Sequence, residues 1–478
     1  MGLTPPPDQD VVVFGATGDL SARKLLPALF NLSNEGLLPR RGDIVGAAPV
    51  EMDHAGFAAF ARHSVRQFSR TKPTPKALDA FTKRLRFVRL DPNAELHDLR
   101  AALRHERRLV YLAVPPSAFG HLITALGEAG LGEGTSLIIE KPFGHDVGSA
   151  RELNETIHAV LPEQRVFRID HYLGKETVQN LLVFRFGNSV FERIWNRDAV
   201  ARVEITVAES LGVEKRGAFY EQTGAIRDIV QNHLFQVLAI MAMEPPVSFD
   251  ADAIRNEKVK VLHALQPLNP AEVVRGQYAA GIIDGKRVPG YRREPGVDRH
   301  STTETFAAMC LSIDSWRWSG VPFLVRTGKR MARRDTRIVV TFREVPLHLF
   351  AGTDVGAVDN NRLVVHIQPN EGIVITFVAK VPGPEVRIEP VNMSFSYGTS
   401  FKTSPPEAYE RLLHDALDGD HTLFIREDEV ERGWEVVQPV LDSPPPIVTY
   451  RAGSWGPRAA DQLAAPLHWH NAGVGDAV

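Results

Sequence analysis

Two stretches of the sequence combine a histidine with carboxylates and cations. The first, RIDHYLGKE at 168–176, contains Asp170, His171 and Lys175. In a helix, His171 and Lys175 would lie four residues apart on one face, where both could contact one anionic group such as a phosphate. A capped helix start, in which Asp170 accepts from backbone N–H groups, explains the same residues without a ligand.

The second stretch is GAIRDIVQNHL at 224–234. A stripe of apolar residues at helical spacing runs through it: Ile226, Ile229, Val230, Leu234 and Val237. His233 lies on or beside that stripe, so its imidazole is expected to be partly desolvated. A neutral imidazole of this kind could act as a general base near pH 7. A core histidine with no catalytic role would give the same pattern.

A glycine-containing turn lies near the N-terminus, in VVVFGATGDLSARKLLPAL. An apolar strand leads into Gly15 and Gly18, and a helical pattern follows. Glycines there let the backbone approach a pyrophosphate, and the helix N-terminus offers N–H groups with partial positive charge. An ordinary strand-to-helix turn is the alternative, because two glycines make only a partial dinucleotide fingerprint. Lys24 could reach a phosphate or lie on a solvated helix face.

The first third of the chain alternates apolar runs with helical patterns such as Ala118 to Leu131. The predicted strands are Val11 to Phe14, Ile44 to Ala47, Leu85 to Leu90, Leu109 to Val114 and Leu137 to Ile139. This alternation predicts a parallel, doubly wound sheet, in which ligands bind at the carboxyl ends of the strands.

The pattern changes after about residue 175, where a helix from Lys175 to Phe184 gives way to strands. The predicted strands are Ala201 to Glu209, Arg337 to Phe342, Arg362 to Gln368, Ile373 to Lys380 and Val386 to Ile388, with later helices at Glu407 to Asp418 and Asp428 to Val440. Strands in such succession, with a hairpin turn at Pro369 to Gly372, predict an antiparallel sheet. The tail after Gly456 is expected to be loosely held.

Size and charge narrow the class of protein. A chain of 478 residues favours two domains. The net charge of −3 gives no overall attraction to nucleic acid or to an anionic membrane, so neither is expected as a partner.

The single cysteine, Cys310, excludes an intramolecular disulfide and fits a reducing compartment. No signal peptide and no apolar run of about 20 residues is evident, so we expect a cytoplasmic protein without a membrane span.

The motifs together resemble the glucose-6-phosphate dehydrogenase family. RIDHYLGKE, GATGDL, EKPFG and IRDIVQNHL carry the resemblance, and LAVPPSAF, RNEKVKVL, WRWSGVPFLVRTGK, PEAYERLL and AGSWGP extend it over almost the whole chain. It implies an α/β Rossmann-type coenzyme domain at 1–174. An α+β domain at 175–478, with a large, mainly antiparallel sheet, would then bind substrate and form a homodimer or homotetramer.

The resemblance also implies an activity and the residues that perform it. The reaction would be oxidation of glucose 6-phosphate at C1 to 6-phosphoglucono-1,5-lactone, the first step of the oxidative pentose phosphate pathway. By motif position, His233 corresponds to the general base and Asp170 to the carboxylate that orients it. Substrate would be bound by His171, Tyr172, Lys175, Glu209, Asp228, Lys329, Arg334 and Lys141. Coenzyme would be bound by Gly15, Ala16, Thr17, Gly18, Asp19, Leu20, Lys24 and Lys141, and no metal is implied.

One position departs from the family pattern. Where the family places an arginine for the 2′-phosphate of NADP, this chain has Pro49, which offers neither charge nor N–H. Glu51 could instead accept a ribose hydroxyl, as acidic residues do in NAD sites. Arg62 or Arg66 could replace the missing arginine if the following helix turns them inward. NADP is therefore the first expectation for the coenzyme, and NAD or dual use is the alternative.

Two other functions stay open at the level of sequence. A dehydrogenase of another sugar or of inositol is one, although the Asp170-His171-Tyr172 cluster with Lys175 offers more phosphate partners than an unphosphorylated sugar needs. A catalytically silent homologue that binds sugar phosphate or regulates a partner is the other. The presence of His233, Asp170, Lys175 and Lys141 argues against that loss of catalysis.

Overall fold

The computed structural model describes residues 3–90, 96–347, 349–350, 360–400, 407–466 and 468–471. The chain forms two compact units. The first contains Met1–Lys175, Pro246–Glu257 and Pro405–Glu431, and the second contains Glu176–Pro245, Lys258–Ser404 and Arg432–Val478. Each unit is therefore built from three chain segments. The division of function between 1–174 and 175–478 stays a prediction.

The strands, in chain order, are β1 (Asp10–Phe14), β2 (Ile44–Ala48), β3 (Leu85–Arg89), β4 (Arg108–Leu112), β5 (Thr135–Glu140), β6 (Val166–Ile169), β7 (Val200–Ala208), β8 (Val273–Ala279), β9 (Gly281–Ile283), β10 (Lys286–Val288), β11 (Phe306–Leu311), β12 (Phe323–Gly328), β13 (Asp335–Phe342), β14 (Arg362–Gln368), β15 (Gly372–Lys380), β16 (Ile388–Ser396), β17 (Phe424–Ile425) and β18 (Ile447–Arg451). The α-helices are α1 (Leu26–Asn34), α2 (His54–Phe68), α3 (Pro75–Thr82), α4 (His97–Ala102), α5 (Phe119–Glu128), α6 (Val147–His158), α7 (Glu176–Phe186), α8 (Ser189–Glu192), α9 (Gly217–Ala225), α10 (Phe235–Ala242), α11 (Ala251–Ala264), α12 (Tyr397–Ser400), α13 (Ala408–Asp418), α14 (Glu427–Asp442) and α15 (Arg458–Ala464). Two segments, Ser21–Leu25 and Ile226–Leu234, are π-helical.

The first unit contains a seven-stranded sheet in the order β17-β6-β5-β4-β1-β2-β3. Its first six strands pair in parallel, and β17 adds an antiparallel edge strand beside β6. All residues of β1 and β4 are buried, as expected for central strands covered on both faces. The predicted doubly wound sheet is confirmed. Since β1 has β2 on one side and β4 on the other, ligands are expected at the carboxyl ends of these strands.

The second unit contains a nine-stranded sheet in the order β16-β15-β14-β13-β7-β12-β11-β8-β18. Six of its neighbouring pairs are antiparallel, and β7–β12 and β8–β18 are parallel. The predicted hairpin is confirmed, because β14 and β15 pair with His366 opposite Gly372. A large, mainly antiparallel sheet is therefore confirmed as well.

Two expectations in the second unit were wrong. The strand predicted at Val386 to Ile388 instead spans Ile388–Ser396. This strand lies at the edge of the sheet, where a proline such as Pro390 is tolerated and where alternating residues need not be buried. Its sequence therefore lacks the alternation of apolar residues from which a strand is predicted. In the described part of the tail, 457–466 and 468–471, residues Arg458–Ala464 form α15, and the buried Trp469 side chain donates from Nε1 to the carbonyl of Ala460 at 2.8 Å. Burial of this indole holds the described part of the tail in place.

Within the part of the chain that the structure describes, none of the helices has the length and hydropathy needed to span a membrane.

Candidate active site

The glycine loop, which runs from Gly15 to Gly18, follows β1 in the first unit. Gly15 has a φ of +74°, and a Cβ built there would lie 2.2 Å from the carbonyl oxygen of Ala113. The N–H groups of Gly15 and Ala16 both donate to the carbonyl of Ala47, at 2.8 and 3.2 Å, and the N–H of Gly18 donates to Gly15. Only glycine fits this approach of the loop to β4. The loop and the helix that starts after it thus have the form that a pyrophosphate requires.

Replacing Gly15 by Ala is expected to destabilise the first unit and weaken coenzyme binding. The new Cβ would meet the Ala113 carbonyl and would also impose a left-handed backbone on alanine. Gly36→Ala is the matched control, because Gly36 has a φ of +73° but nothing within 4 Å of the built Cβ. Gly36→Ala should cost about 1 kcal/mol of stability and leave coenzyme affinity unchanged.

Gly15→Ala should weaken coenzyme binding about tenfold or more, which corresponds to about 1.4 kcal/mol. The measurements are thermal melting and calorimetric titration with the reduced coenzymes. Equal coenzyme affinities in the two variants would contradict the role given to the loop.

The remaining loop residues and Lys24 lie at the start of the following helix. Thr17, Asp19 and Leu20 continue the loop into that helix, whose first described backbone bond runs from the Ala22 N–H to Gly18. Lys24 is half-exposed and forms an ion pair with Glu407 at 2.8 Å, within the same unit. Its ammonium group is therefore held at the surface by a carboxylate that an anionic ligand would have to replace.

The segment after β2 holds the departure from the family pattern. Pro49 is exposed, and Glu51 forms an ion pair with Arg89, the last residue of β3. Arg62 pairs with Asp79 at 2.7 Å, and Arg66 is exposed in the last turn of α2.

Lys141 follows Glu140 at the carboxyl end of β5. The carboxylate of Glu140 accepts hydrogen bonds from the hydroxyls of Tyr111 and Tyr409, at 2.5 and 3.0 Å. Burial raises the pKa of Glu140, although the two hydroxyls and the neighbouring Lys141 act in the opposite direction. The two tyrosines fix the end of the strand that presents Lys141.

The raised pKa of Glu140 gives a stability prediction. Because the folded state holds the proton more tightly, Glu140 stabilises the fold at low pH, and this contribution is lost as the pH rises through the folded pKa. The melting temperature of the wild type relative to Glu140→Gln should therefore fall as the pH rises above about 4, the usual pKa of a glutamate in an unfolded chain. Glu133→Gln, at an exposed position, measures the effect of the exchange alone. A wild-type advantage that grows with pH would contradict the assignment.

Residues 170–175 form a turn rather than the predicted helix start, and α7 begins at Glu176. The Asp170 carboxylate accepts from the Tyr172 N–H at 2.8 Å, and the Leu173 N–H donates to the Asp170 carbonyl. These local bonds close the turn, so His171 and Lys175 do not share a helix face.

The turn nevertheless brings His171 and Lys175, two of the predicted phosphate-binding residues, next to the ring of Tyr172. The Lys175 ammonium lies 3.7 Å from the ring centre of Tyr172, and the His171 ring packs against the same tyrosine at 5.2 Å between centroids. Tyr172 is buried, whereas His171 and Lys175 are partly exposed. The first unit therefore presents His171 and Lys175 beside a buried phenol ring.

In the second unit, the predicted helix containing His233 is π-helical over Ile226–Leu234. Asp228 and His233 both lie within this π-helical segment. His233 is buried, and Asp228 is partly exposed. Gly224 precedes this segment with a φ of +65°, and the Ile226 N–H donates to Glu304 at 3.1 Å. This irregular helix start thus precedes the residues expected to do chemistry.

A second cluster in this unit surrounds Tyr220, which the sequence did not single out. The Lys329 ammonium pairs with Glu209 at 2.5 Å and lies 5.0 Å from the Tyr220 ring centre. Burial, with the charges of Asp228, Glu304 and Glu209, raises the pKa of Tyr220 well above its usual range. Its hydroxyl therefore stays protonated.

Arg334 is placed differently from Lys329. It is exposed and donates to the side chain of Gln368 at 2.9 Å. One cluster within the second unit therefore contains Tyr220, Glu209, Asp228 and Lys329. Arg334 donates to Gln368 on β14 instead.

Comparisons with known proteins match nearly the whole chain to one family. The model of the glucose-6-phosphate dehydrogenase NAD binding domain matches residues 12–180, and that of the C-terminal domain matches residues 182–470. The chain belongs to the glucose-6-phosphate dehydrogenase family. A glucose-6-phosphate 1-dehydrogenase of Mycolicibacterium smegmatis is 45% identical over 98% of this chain and 99% of its own. One of Chlamydia pneumoniae is 43% identical over 97% and 96%.

Solved structures of the glucose-6-phosphate dehydrogenase family share the fold. The crystal structure of glucose-6-phosphate 1-dehydrogenase from Mycobacterium avium has a TM-score of 0.87 at 37% identity, covering 98% of this chain and 99% of that one. A structure of glucose-6-phosphate dehydrogenase in complex with glucose 6-phosphate has a TM-score of 0.88 at 35% identity, covering 99% and 100%. The predicted combination of a Rossmann-type domain and a large second sheet is confirmed.

Proposed function

We propose that this protein oxidises glucose 6-phosphate at C1 to 6-phosphoglucono-1,5-lactone, the first step of the oxidative pentose phosphate pathway. Membership of the glucose-6-phosphate dehydrogenase family supports the reaction. The observation that carries it is the buried imidazole of His233 on a π-helical segment. A desolvated imidazole of this kind suits proton abstraction near neutral pH.

The chemistry divides between the protein and the coenzyme. His233 accepts the proton of the C1 hydroxyl while the C1–H bond breaks and the C1–O1 bond becomes a carbonyl. The bound dinucleotide supplies the hydride acceptor, its nicotinamide ring. Asp170 orients the imidazole and stabilises its protonated form, as the carboxylate of a catalytic triad does.

Substrate binding is assigned by charge and hydrogen-bonding capacity. We propose that His171, Tyr172 and Lys175 bind the phosphate together with Lys329 and Arg334, because cations and hydroxyls suit a dianion. Glu209 and Asp228 accept from the sugar hydroxyls. For Glu209, this requires the sugar to compete with its ion pair to Lys329. Lys141 contacts both coenzyme and substrate.

The coenzyme is proposed to be NADP, with NAD as the alternative. Gly15, Ala16, Thr17, Gly18, Asp19 and Leu20 would hold its pyrophosphate, assisted by Lys24. The close approach at Gly15 supports a dinucleotide but does not distinguish between the two. Comparing kcat/KM for NADP and NAD tests the preference, and a strong preference for NAD would reject NADP.

An assay of coenzyme reduction tests the reaction itself. Glucose 6-phosphate should support turnover with at least one coenzyme, and glucose and inositol should not. Turnover with an unphosphorylated sugar would favour a different dehydrogenase. Binding of glucose 6-phosphate without any reduction would favour the catalytically silent homologue. A homodimer or homotetramer and a cytoplasmic location stay predictions.

A further inference from the structure

Glu51 and Arg89 form a charged pair at the edge of the first sheet where the glycine loop lies. Arg89 is the last residue of β3 and pairs in register with Ala48, the last residue of β2. The N–H of Leu90 donates to the carbonyl of Ala48 at 3.1 Å. The Arg89 side chain therefore starts level with the end of β2, one residue before Pro49.

In doubly wound sheets, the ribose of a dinucleotide is recognised at the carboxyl end of the second strand, where Glu51 and Arg89 lie. An acidic residue after the second strand binds the 2′-hydroxyl of NAD, and a nearby arginine accommodates the 2′-phosphate of NADP. The glycine loop is attached to the end of β2, because the Gly15 and Ala16 N–H groups donate to Ala47. Glu51 and Arg89 thus offer both kinds of partner at the expected position.

The other candidate cations are less suitable. α2 begins at His54, near the carboxyl end of β2, and runs away from it. At 1.5 Å per residue, Arg62 lies about 12 Å and Arg66 about 18 Å along the helix from His54. Arg62 also pairs with Asp79 and donates to the hydroxyl of Thr82.

We propose that Arg89 binds the 2′-phosphate of NADP in place of the residue replaced by Pro49, and that Glu51 binds the ribose hydroxyls of NAD. This inference rests on the proposed coenzyme function. The two side chains are 50% and 84% exposed, and an ion pair so exposed is held weakly. Arg89 can therefore exchange the Glu51 carboxylate for a phosphate, which it contacts with two parallel N–H groups. One site then accepts either coenzyme, and Arg89 and Glu51 set the ratio of the affinities for NADP and NAD.

Calorimetric titration with NADPH and NADH, without sugar phosphate, tests the assignment. Arg89→Ala should raise the dissociation constant of NADPH about tenfold, as expected for loss of a charged hydrogen bond, and change that of NADH less than about twofold. Glu51→Gln should lower the NADPH constant and raise the NADH constant. Arg62→Ala, which removes the same charge from the same unit, is the control and should change neither.

The outcomes separate this inference from the proposed reaction. Equal effects of Arg89→Ala on the two coenzymes, or no effect, would overturn the assignment of Arg89, as would a selective loss of NADPH affinity in Arg62→Ala. If the coenzymes bind with the predicted selectivity but glucose 6-phosphate is not oxidised, the reaction fails and the Arg89 assignment stands. If glucose 6-phosphate is oxidised but Arg89→Ala leaves the coenzyme selectivity unchanged, the reaction stands and the Arg89 assignment fails.

Discussion

Replacing His233 by Asn is expected to lower kcat for glucose 6-phosphate by about 10²- to 10⁴-fold, the usual contribution of a positioned general base. Asparagine retains polar atoms and similar bulk near the backbone but cannot accept the C1 hydroxyl proton. The sugar phosphate should still bind, because its phosphate partners are other residues. Steady-state kinetics with saturating coenzyme measures kcat, and calorimetry measures substrate affinity.

Two controls keep the His233 result interpretable. His263→Asn exchanges an exposed histidine of the same unit and should leave kcat within about twofold. Since His233 is buried, the melting temperature of His233→Asn must also be compared with the wild type. A folded His233→Asn variant with undiminished turnover would remove His233 from its role as the base.

Replacing Asp170 by Asn should also lower kcat strongly, by roughly 10²- to 10⁴-fold, because an amide cannot stabilise a protonated imidazole. Asn keeps the oxygen that accepts from the Tyr172 N–H, so the turn at 170–175 should persist. Asp170 is proposed to act through His233, and this requires a readout that a purely structural role would not change.

The double variant provides that readout. If Asp170 acts only by orienting His233, the Asp170→Asn/His233→Asn protein should be about as slow as His233→Asn alone, because residues that act as a unit are not additive. A turn that merely supported the fold would give the product of the two single effects. Multiplicative losses in kcat would therefore refute the positioning role of Asp170.

Features that depend on local sequence were predicted well. The strands of the first sheet are short apolar runs that are buried on both faces. Because the segments between them have a helical pattern instead, the positions of these strands could be predicted from the sequence. The glycine at position 15 was recognised from its place between strand and helix, and the close approach to Ala113 gives the physical reason for it.

Features that depend on distant contacts were not predicted. Nothing in the residue types of 226–234 distinguishes a π-helix from an α-helix, and its start is fixed by Glu304, far along the chain. Tyr220 was missed because its neighbours Glu209 and Lys329 come from different strand ends. The pairing of Glu51 with Arg89 depends on the register of β2 against β3, which the sequence pattern leaves open.

The most direct test of the proposed reaction follows the hydrogen on C1. The protein is incubated with glucose 6-phosphate deuterated at C1 and with oxidised NADP or NAD, and the reduced coenzyme and the sugar product are analysed by mass spectrometry. We expect one deuterium in the reduced coenzyme and none at C1 of the lactone or its hydrolysis product, with at least about hundredfold less product from His233→Asn. Unlabelled reduced coenzyme, or no reduction with either dinucleotide, would contradict hydride transfer from C1.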